Sequence, residues 1–518
     1  MRSVPGDTAV AAGETAILLC TLWLSDRVVR VATRPVLVVD GETGQTYSYE
    51  AGLLEVVEFA EEVDYFELSG AGSLQQASVK LVLPESVGAA ALDDTWRWLV
   101  AGRAELALVW EDQAWQARRI LVPATRLSLP KLELANGIME FQLETAALSD
   151  GALLGDPDRD LGEQHPTLGF TRLDGQQYPV ILGKCYRIPG LKLGIWPADR
   201  TLALCGHTLG SDVVVGDFAF YLEGETYSPV GTVTLVQSTD DSGKISYLNS
   251  NSGSDFTSSQ ADFTVDCNRG GLAGPNGTSA KTVEDLLHVL LTQSGEVIDW
   301  HRSRPALDFF ADWELGLYVD SATPTLTLLK ERLLPWLPAF LQQGPDGIKL
   351  VHAAPWLQTP AFALVDEQNC SLASLVSITD WTKVKNSFTL SYYWDGSLGE
   401  YTRRLTLSAN HPLGRLSQQL FGLQAESELS CNVCWADGTA AKILEARMQR
   451  QALPRRQLSG VLASQLYYLE AGQVGTVESA RLGLSARRCY IRSIQPFASP
   501  PEVLLELLPD TALDAGEL

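Results

Sequence analysis

The sequence predicts a mainly β chain with minor α, built as several domains. Three observations carry this. Apolar and polar residues alternate over short stretches bounded by turn residues, and 43 Gly and 25 Pro are spread along the chain as such a design requires. Hydrophobic residues at 45% and charged residues at 20% are globular values. The 518 residues exceed one ordinary core, which divides the chain into roughly three to five domains.

The strands follow in order. The apolar run 16–24 reads as a core strand, since Asp7 and Glu14 precede it where a secretory leader carries positive charge. Residues 27–32 and 35–40 continue the pattern, and Gly41-Glu42-Thr43-Gly44 turns the chain into Thr46-Tyr47-Ser48-Tyr49-Glu50. A short helix is expected over 95–101, capped by Asp93 or Asp94, followed by strands over 104–111 and 114–123. Asn136-Gly137, with apolar residues on both sides, marks a hairpin within 132–144, because both turn residues tolerate positive φ.

Residues 149–165 are polar and read as a linker, and 238–277, rich in Ser, Asp, Asn and Gly, as an exposed loop-rich β region. Between them, strands are expected over 218–222 and 231–238. Val283, Leu286, Leu287, Leu290 and Leu291 share one helical face over 280–293, with Thr282 as its cap. A second helix over 325–334 is stopped by Pro335 and Pro338, and Gly344-Pro345-Asp346-Gly347 leads into a strand over 348–352. Strands over 386–394 and 400–408 pair across Asp395-Gly396-Ser397. A helix over 438–453 then runs into Pro454-Arg455-Arg456 and short strands over 469–477, 488–492 and 502–507.

The formal charge of −24 argues against wrapping a phosphate backbone. It suits solubility, or a wall that DNA slides past. Asp240-Asp241-Ser242-Gly243-Lys244 lacks the upstream glycine and apolar strand of a phosphate loop, and Gly270-Gly271-Leu272-Ala273-Gly274 is followed by Gly-Pro-Asn-Gly where a helix must start. The six histidines, His165, His207, His288, His301, His352 and His411, stand apart without a metalloprotease pairing, and no nucleophile elbow is present. No run of apolar residues approaches the roughly 20 needed to span a bilayer.

Of eight cysteines, six are scattered singly: Cys20, Cys185, Cys205, Cys267, Cys370 and Cys489. Cys431-Asn432-Val433-Cys434 has the spacing of half a metal site, which Cys370 and Cys489 could complete only if the fold brought them near. Buried thiols are the default in a reducing cytosol. Arg455 and Arg456 are a weak basic patch in so acidic a chain. The structural alternative is stronger, because cations favour a helix C-terminus and arginine forks bridge carboxylates.

The C-terminal block, helix then Pro454-Arg455-Arg456 then Leu469-Glu470-Ala471-Gly472-Gln473-Val474, resembles the C-terminal module of baseplate-hub (tail-tip) proteins of long-tailed bacteriophages and gene transfer agents. Tyr178-Pro179-Val180-Ile181-Leu182-Gly183-Lys184-Cys185-Tyr186-Arg187-Ile188-Pro189-Gly190 is similar to the segment after the first barrel of such hubs, and the order of helix, Pro-rich end, Gly turn and strand over 325–352 is also theirs. Certain tail-tip proteins of this class bind an iron–sulfur cluster. The resemblance implies two tail-tube-type β-barrels with α+β domains between: an N-terminal barrel over 1–150, a loop-rich β domain over 151–278, an α+β domain over 279–380 and a C-terminal barrel with one packed helix over 381–518. It further implies a homotrimer whose six barrels form a pseudo-sixfold ring, closing the distal end of the tail tube and opening for DNA and tape-measure protein. Its partners would be the tail tube, the distal tail protein, and fibres or a central spike. Its place would be the virion, after assembly in the host cytoplasm. Sequence-specific nucleic-acid binding is not expected, and no catalytic, cofactor-binding or metal-ligating residue is assigned. The alternatives are a tail-associated cell-wall hydrolase, since abundant carboxylates can pair by chance, and a receptor-binding tail fibre.

Overall fold

The computed structural model of the chain describes residues 17–23, 28–40, 43–57, 61–62, 76–82, 103–109, 119–133, 138–144, 152–158, 177–193, 201–223, 225–240, 243–252, 263–269, 271–295, 297–344, 347–395, 398–463, 466, 469–495 and 502–508. These residues are mainly strand with few helices, as expected. The expected helix over 95–101, Asn136-Gly137 and His165 lie outside them.

Residues 17–144 supply a nine-stranded sheet in the order 36–39, 46–51, 28–32, 17–23, 103–109, 119–133, 138–144, 76–82, 53–57. The strand Ile17–Trp23 lies inside it, between Val28–Ala32 and Arg103–Val109, both antiparallel. Its apolar run is continuous because both faces are covered. Leu18, Cys20 and Leu22 enter one core cluster, Ile17 and Leu19 another, the alternation that a period of two imposes. Thr21, the polar interruption, shares a 2.8 Å hydrogen bond with the buried hydroxyl of Tyr49.

The next unit packs two four-stranded sheets on one core. One holds Cys185–Pro189, Phe263–Cys267, Phe218–Leu222 and Glu225–Tyr227, and the other Leu191–Leu193, Thr201–Cys205, Gly243–Ser250 and Val233–Asp240. Two expectations are corrected here. Phe263–Cys267, within the stretch read as exposed, is buried throughout because it is an interior strand. Leu153–Leu154, within the expected linker, pairs with Thr323–Pro324 and buries Leu154 in the core that follows.

That core holds helices α1 (Val283–Gln293), α2 (Trp300–Phe309), α3 (Pro412–Phe421) and α4 (Asp437–Gln451), with a three-stranded sheet of Glu400–Leu407, Phe388–Asp395 and Leu429–Cys431. Thr282 caps α1 as expected. Its Oγ1 accepts from the Asp285 amide at 3.2 Å, and Asp285 Oδ2 accepts from the Thr282 amide at 3.1 Å, a reciprocal capping box. Thr282→Ala should lower stability by about 1 kcal/mol, read as a shift of the urea midpoint. The helix α2 was not expected, because Pro305 lies inside it and its apolar face is short. Asp299 caps it by accepting from the Arg302 amide, and Ala306 and Leu307 bury. The helical segment over 325–336 is irregular, widening over Leu328–Leu333 and tightening over Leu334–Trp336. The hairpin Ala339–Gly344 with Gly347–His352 follows.

The C-terminal sheet runs Ala363–Val365, Val474–Ser479, Leu484–Gln495, Glu502–Leu507, Arg456–Leu462, Cys370–Ile378. It takes strands from both sides of residue 380, and the core below takes residues from Leu154 to Ala452, so the chain interleaves across 278 and 380. Glu61–Glu62 from the N-terminal region pairs with Ser493 and Ile494 of this sheet.

Candidate functional site

The Cys431-Asn432-Val433-Cys434 loop is where the structure concentrates side chains. Strand Phe388–Asp395 pairs in parallel with Leu429–Cys431, and the loop beyond is stitched on two sides. The Val433 carbonyl accepts from the Gly316 amide at 3.0 Å, the Cys434 carbonyl from the Tyr393 amide at 3.1 Å, and the Trp435 indole donates to the Gly316 carbonyl at 3.2 Å. Gly316 is required here, since a Cβ at its position would sit 1.8 Å from the Lys184 carbonyl oxygen.

Cys431 and Cys434 turn inward into the apolar core, and burial pushes the Cys434 thiol up to about 12. Cys370 and Cys489 lie in a different core, with thiols raised to about 11 and about 12 by burial. The four sulfurs therefore do not fit a shared cluster site. Among the described residues no three His, Cys, Asp or Glu side chains group as metal ligands. The structure instead unites three cysteines that are scattered in sequence: Cys185 opposes Cys267 across a strand pair, and Cys205 joins them in one core.

Residues between and beyond the two loop thiols also border a cavity. Asn432, Val433 and Trp435 line a cavity of about 250 Å3 with Tyr186, Arg187, Tyr318, Asp320, Arg332 and Trp394. Two of its aromatic residues, Tyr186 and Trp435, pack with ring centroids 5.6 Å apart, and Tyr393 packs against them at 4.7 Å and 5.9 Å. Arg187 is fixed from three directions. Its amide donates to Asp266 Oδ1 at 2.7 Å, its Nε lies 3.6 Å from Asp395 Oδ2, and its guanidinium lies 3.3 Å from the Tyr221 ring centre. Burial raises the Asp266 carboxyl above its usual range, against the amide of Arg187 and the hydroxyl of Tyr221, which favour its charged form. Arg187 and Tyr393 both hold positive φ, 49° and 62°. A larger cavity of about 500 Å3 lies over the C-terminal sheet, but small side chains such as Ser371, Ala373 and Ser459 line it, with Glu502 the one charged residue among them.

The other motifs resolve structurally. Asp240 and Gly243 pair at the tip of a hairpin, so that loop opens no helix. Gly271 packs against Ile181, and Leu272 donates to its carbonyl. Arg455 is buried against α4 and Glu506, whereas Arg456 is exposed. His288 stacks on Trp300 and His411 pairs with Glu445 at 2.9 Å, while His301 is exposed on α2.

His207 is buried. Its Nε2 accepts from the Ile181 amide at 2.9 Å and its Nδ1 donates to the Thr208 carbonyl at 3.2 Å, so the neutral ring uses both nitrogens. Burial lowers its pKa from 6.5 to about 4, and that of His352, stacked on Phe309, likewise. The unfolded chain thus binds more protons between these values. Stability is complete above pH 6.5 and is lost as pH falls toward 4. At pH 5 His207 alone should cost on the order of 2 kcal/mol, read as a fall of the urea midpoint from pH 7 to pH 5.

No family model and no curated protein matches the chain. Among solved structures it is similar to a chain of a structure titled "Virion of native gene transfer agent (GTA) particle", with a TM-score of 0.44 and 12% identity, covering 67% of this chain and 88% of that one.

Proposed function

We propose that this chain is a structural baseplate-hub (tail-tip) protein of a tailed phage, a homotrimer that closes the distal end of the tail tube, joins it to the distal tail protein and to fibres or a spike, and opens for DNA ejection. The observation that carries the reading is the pairing of Glu61–Glu62, which lies in sequence between two strands of the N-terminal sheet, with Ser493 and Ile494 of the sheet at the other end of the chain. A subunit that contributes two large sheets supplies two sectors to a ring, so three copies give six, the symmetry a sixfold tube requires. The charge of −24 suits a channel wall that repels DNA in transit. The succession of motifs from Tyr178 to Val474 supports the same reading. Mass photometry and negative-stain imaging of the purified chain, alone and with tail-tube and distal tail proteins, test it. Threefold rings are the expected result. A monomer that joins none of those proteins, or a clear lytic band on peptidoglycan zymography, would overturn it.

A further inference from the structure

We propose that the cavity beside the Cys431–Cys434 loop binds a single neutral pyranose unit of a polysaccharide. The inference stands independently of any role in a phage tail.

The wall and the rim have the two chemistries a sugar ring needs. One face of a pyranose is a set of C–H bonds, and Tyr186, Trp394 and Trp435 offer aromatic surface for it. Its hydroxyls both donate and accept. Asn432 supplies an amide that does both, Asp320 accepts, and Arg332 donates as a planar fork. At about 250 Å3, the cavity is below the roughly 300–1,000 Å3 of sites for drug-sized ligands, which suits one ring. Charge selects a neutral ligand. The cation of Arg187 lies 3.6 Å from the Asp395 carboxylate and also acts on that of Asp266, and Arg332 and Asp320 are of opposite sign, so no net positive field is left for a phosphate or a uronate.

The backbone around the cavity is held in place at a cost. Arg187 and Tyr393 sit in the left-handed region without being glycine, a strained conformation that clusters at ligand clamps. Both are pinned by the bonds described above, Arg187 to Asp266 and Tyr393 to the Cys434 carbonyl. The two buried thiols thus act as anchors, and the chain between and after them delivers Asn432 and Trp435 to the cavity.

The test uses the full chain with methyl glucoside, methyl galactoside and N-acetylglucosamine as probes and glucuronate as the charged comparison, read by saturation-transfer NMR and tryptophan fluorescence. Saturable binding of at least one neutral probe, with transfer to its ring protons and glucuronate weaker, is expected. Trp394→Ala should abolish it. Asn432→Ala and Arg332→Ala should each weaken it roughly tenfold, about one hydrogen bond, with the thermal midpoint checking that each variant is folded. If Trp394→Ala does not fold, the two polar variants decide. No saturable transfer from any neutral probe, tighter binding of glucuronate, or affinity unchanged in the folded variants would overturn the assignment.

Discussion

Arg455→Ala should lower the unfolding free energy by about 3–5 kcal/mol, while Arg456→Ala, one residue on, should stay within about 0.5 kcal/mol. The two arginines look equivalent in sequence. In the fold Arg455 is 3% exposed and its guanidinium ends α4. Nη2 donates to the Arg450 carbonyl at 3.0 Å and to the Gln449 carbonyl, and Nε reaches the Arg450 carbonyl at 3.3 Å. These carbonyls belong to the last turn, where no intrahelical partner exists. The same guanidinium lies 3.8 Å from Glu506, which is 1% exposed. Truncation therefore strips both a cap and the nearest counter-charge of a buried carboxylate, whose other cation, Arg492, stands 3.9 Å away. Arg455→Lys keeps a charge but not a fork, so it should fall between parent and alanine variant. Urea midpoints for the three variants check the order, and equal midpoints for Arg455→Ala and Arg456→Ala would contradict it.

What was legible in the sequence was local. Turn chemistry located the hairpin of Phe388–Asp395 with Glu400–Leu407, and the Thr282 cap fixed the start of α1, because in both cases the deciding residues are neighbours in the chain. Arg455 was legible in kind, since a cation after a helix end has a physical partner in the helix itself. The cavity was not. Tyr186, Arg332, Trp394 and Trp435 come from separate segments, and no spacing rule links them. The thiols of Cys431-Asn432-Val433-Cys434 are its visible feature in sequence, whereas its contribution to the cavity is Asn432 and the following Trp435. The helix α2 was hidden by Pro305, and the pairing of Glu61–Glu62 with Ser493 and Ile494 is a contact that only the assembled sheets create.

Lys349→Ala should cost about 3–5 kcal/mol, whereas the double variant Lys349→Met with Glu470→Leu should return to the parent stability or exceed it by about 1–4 kcal/mol. Lys349 Nζ donates to Glu470 Oε2 at 2.7 Å, with both side chains under 10% exposed, 8% and 7%. Removing one partner strands a charge out of water. Removing both and filling the space with apolar side chains removes two desolvation costs at once. The surroundings favour that exchange, because Phe340, Ala353, Ala471, Val474 and Tyr490 form an apolar cluster across the same junction. The pair joins the strand Gly347–His352 to the loop before Val474–Ser479, so it contributes registration between that hairpin and the C-terminal sheet in addition to any stability. A double-mutant cycle on urea unfolding separates the two contributions. A large coupling energy with a stable double variant means that the ion pair sets the docking of the two units. A double variant as weak as Lys349→Ala alone would show that the charges are themselves a net source of stability.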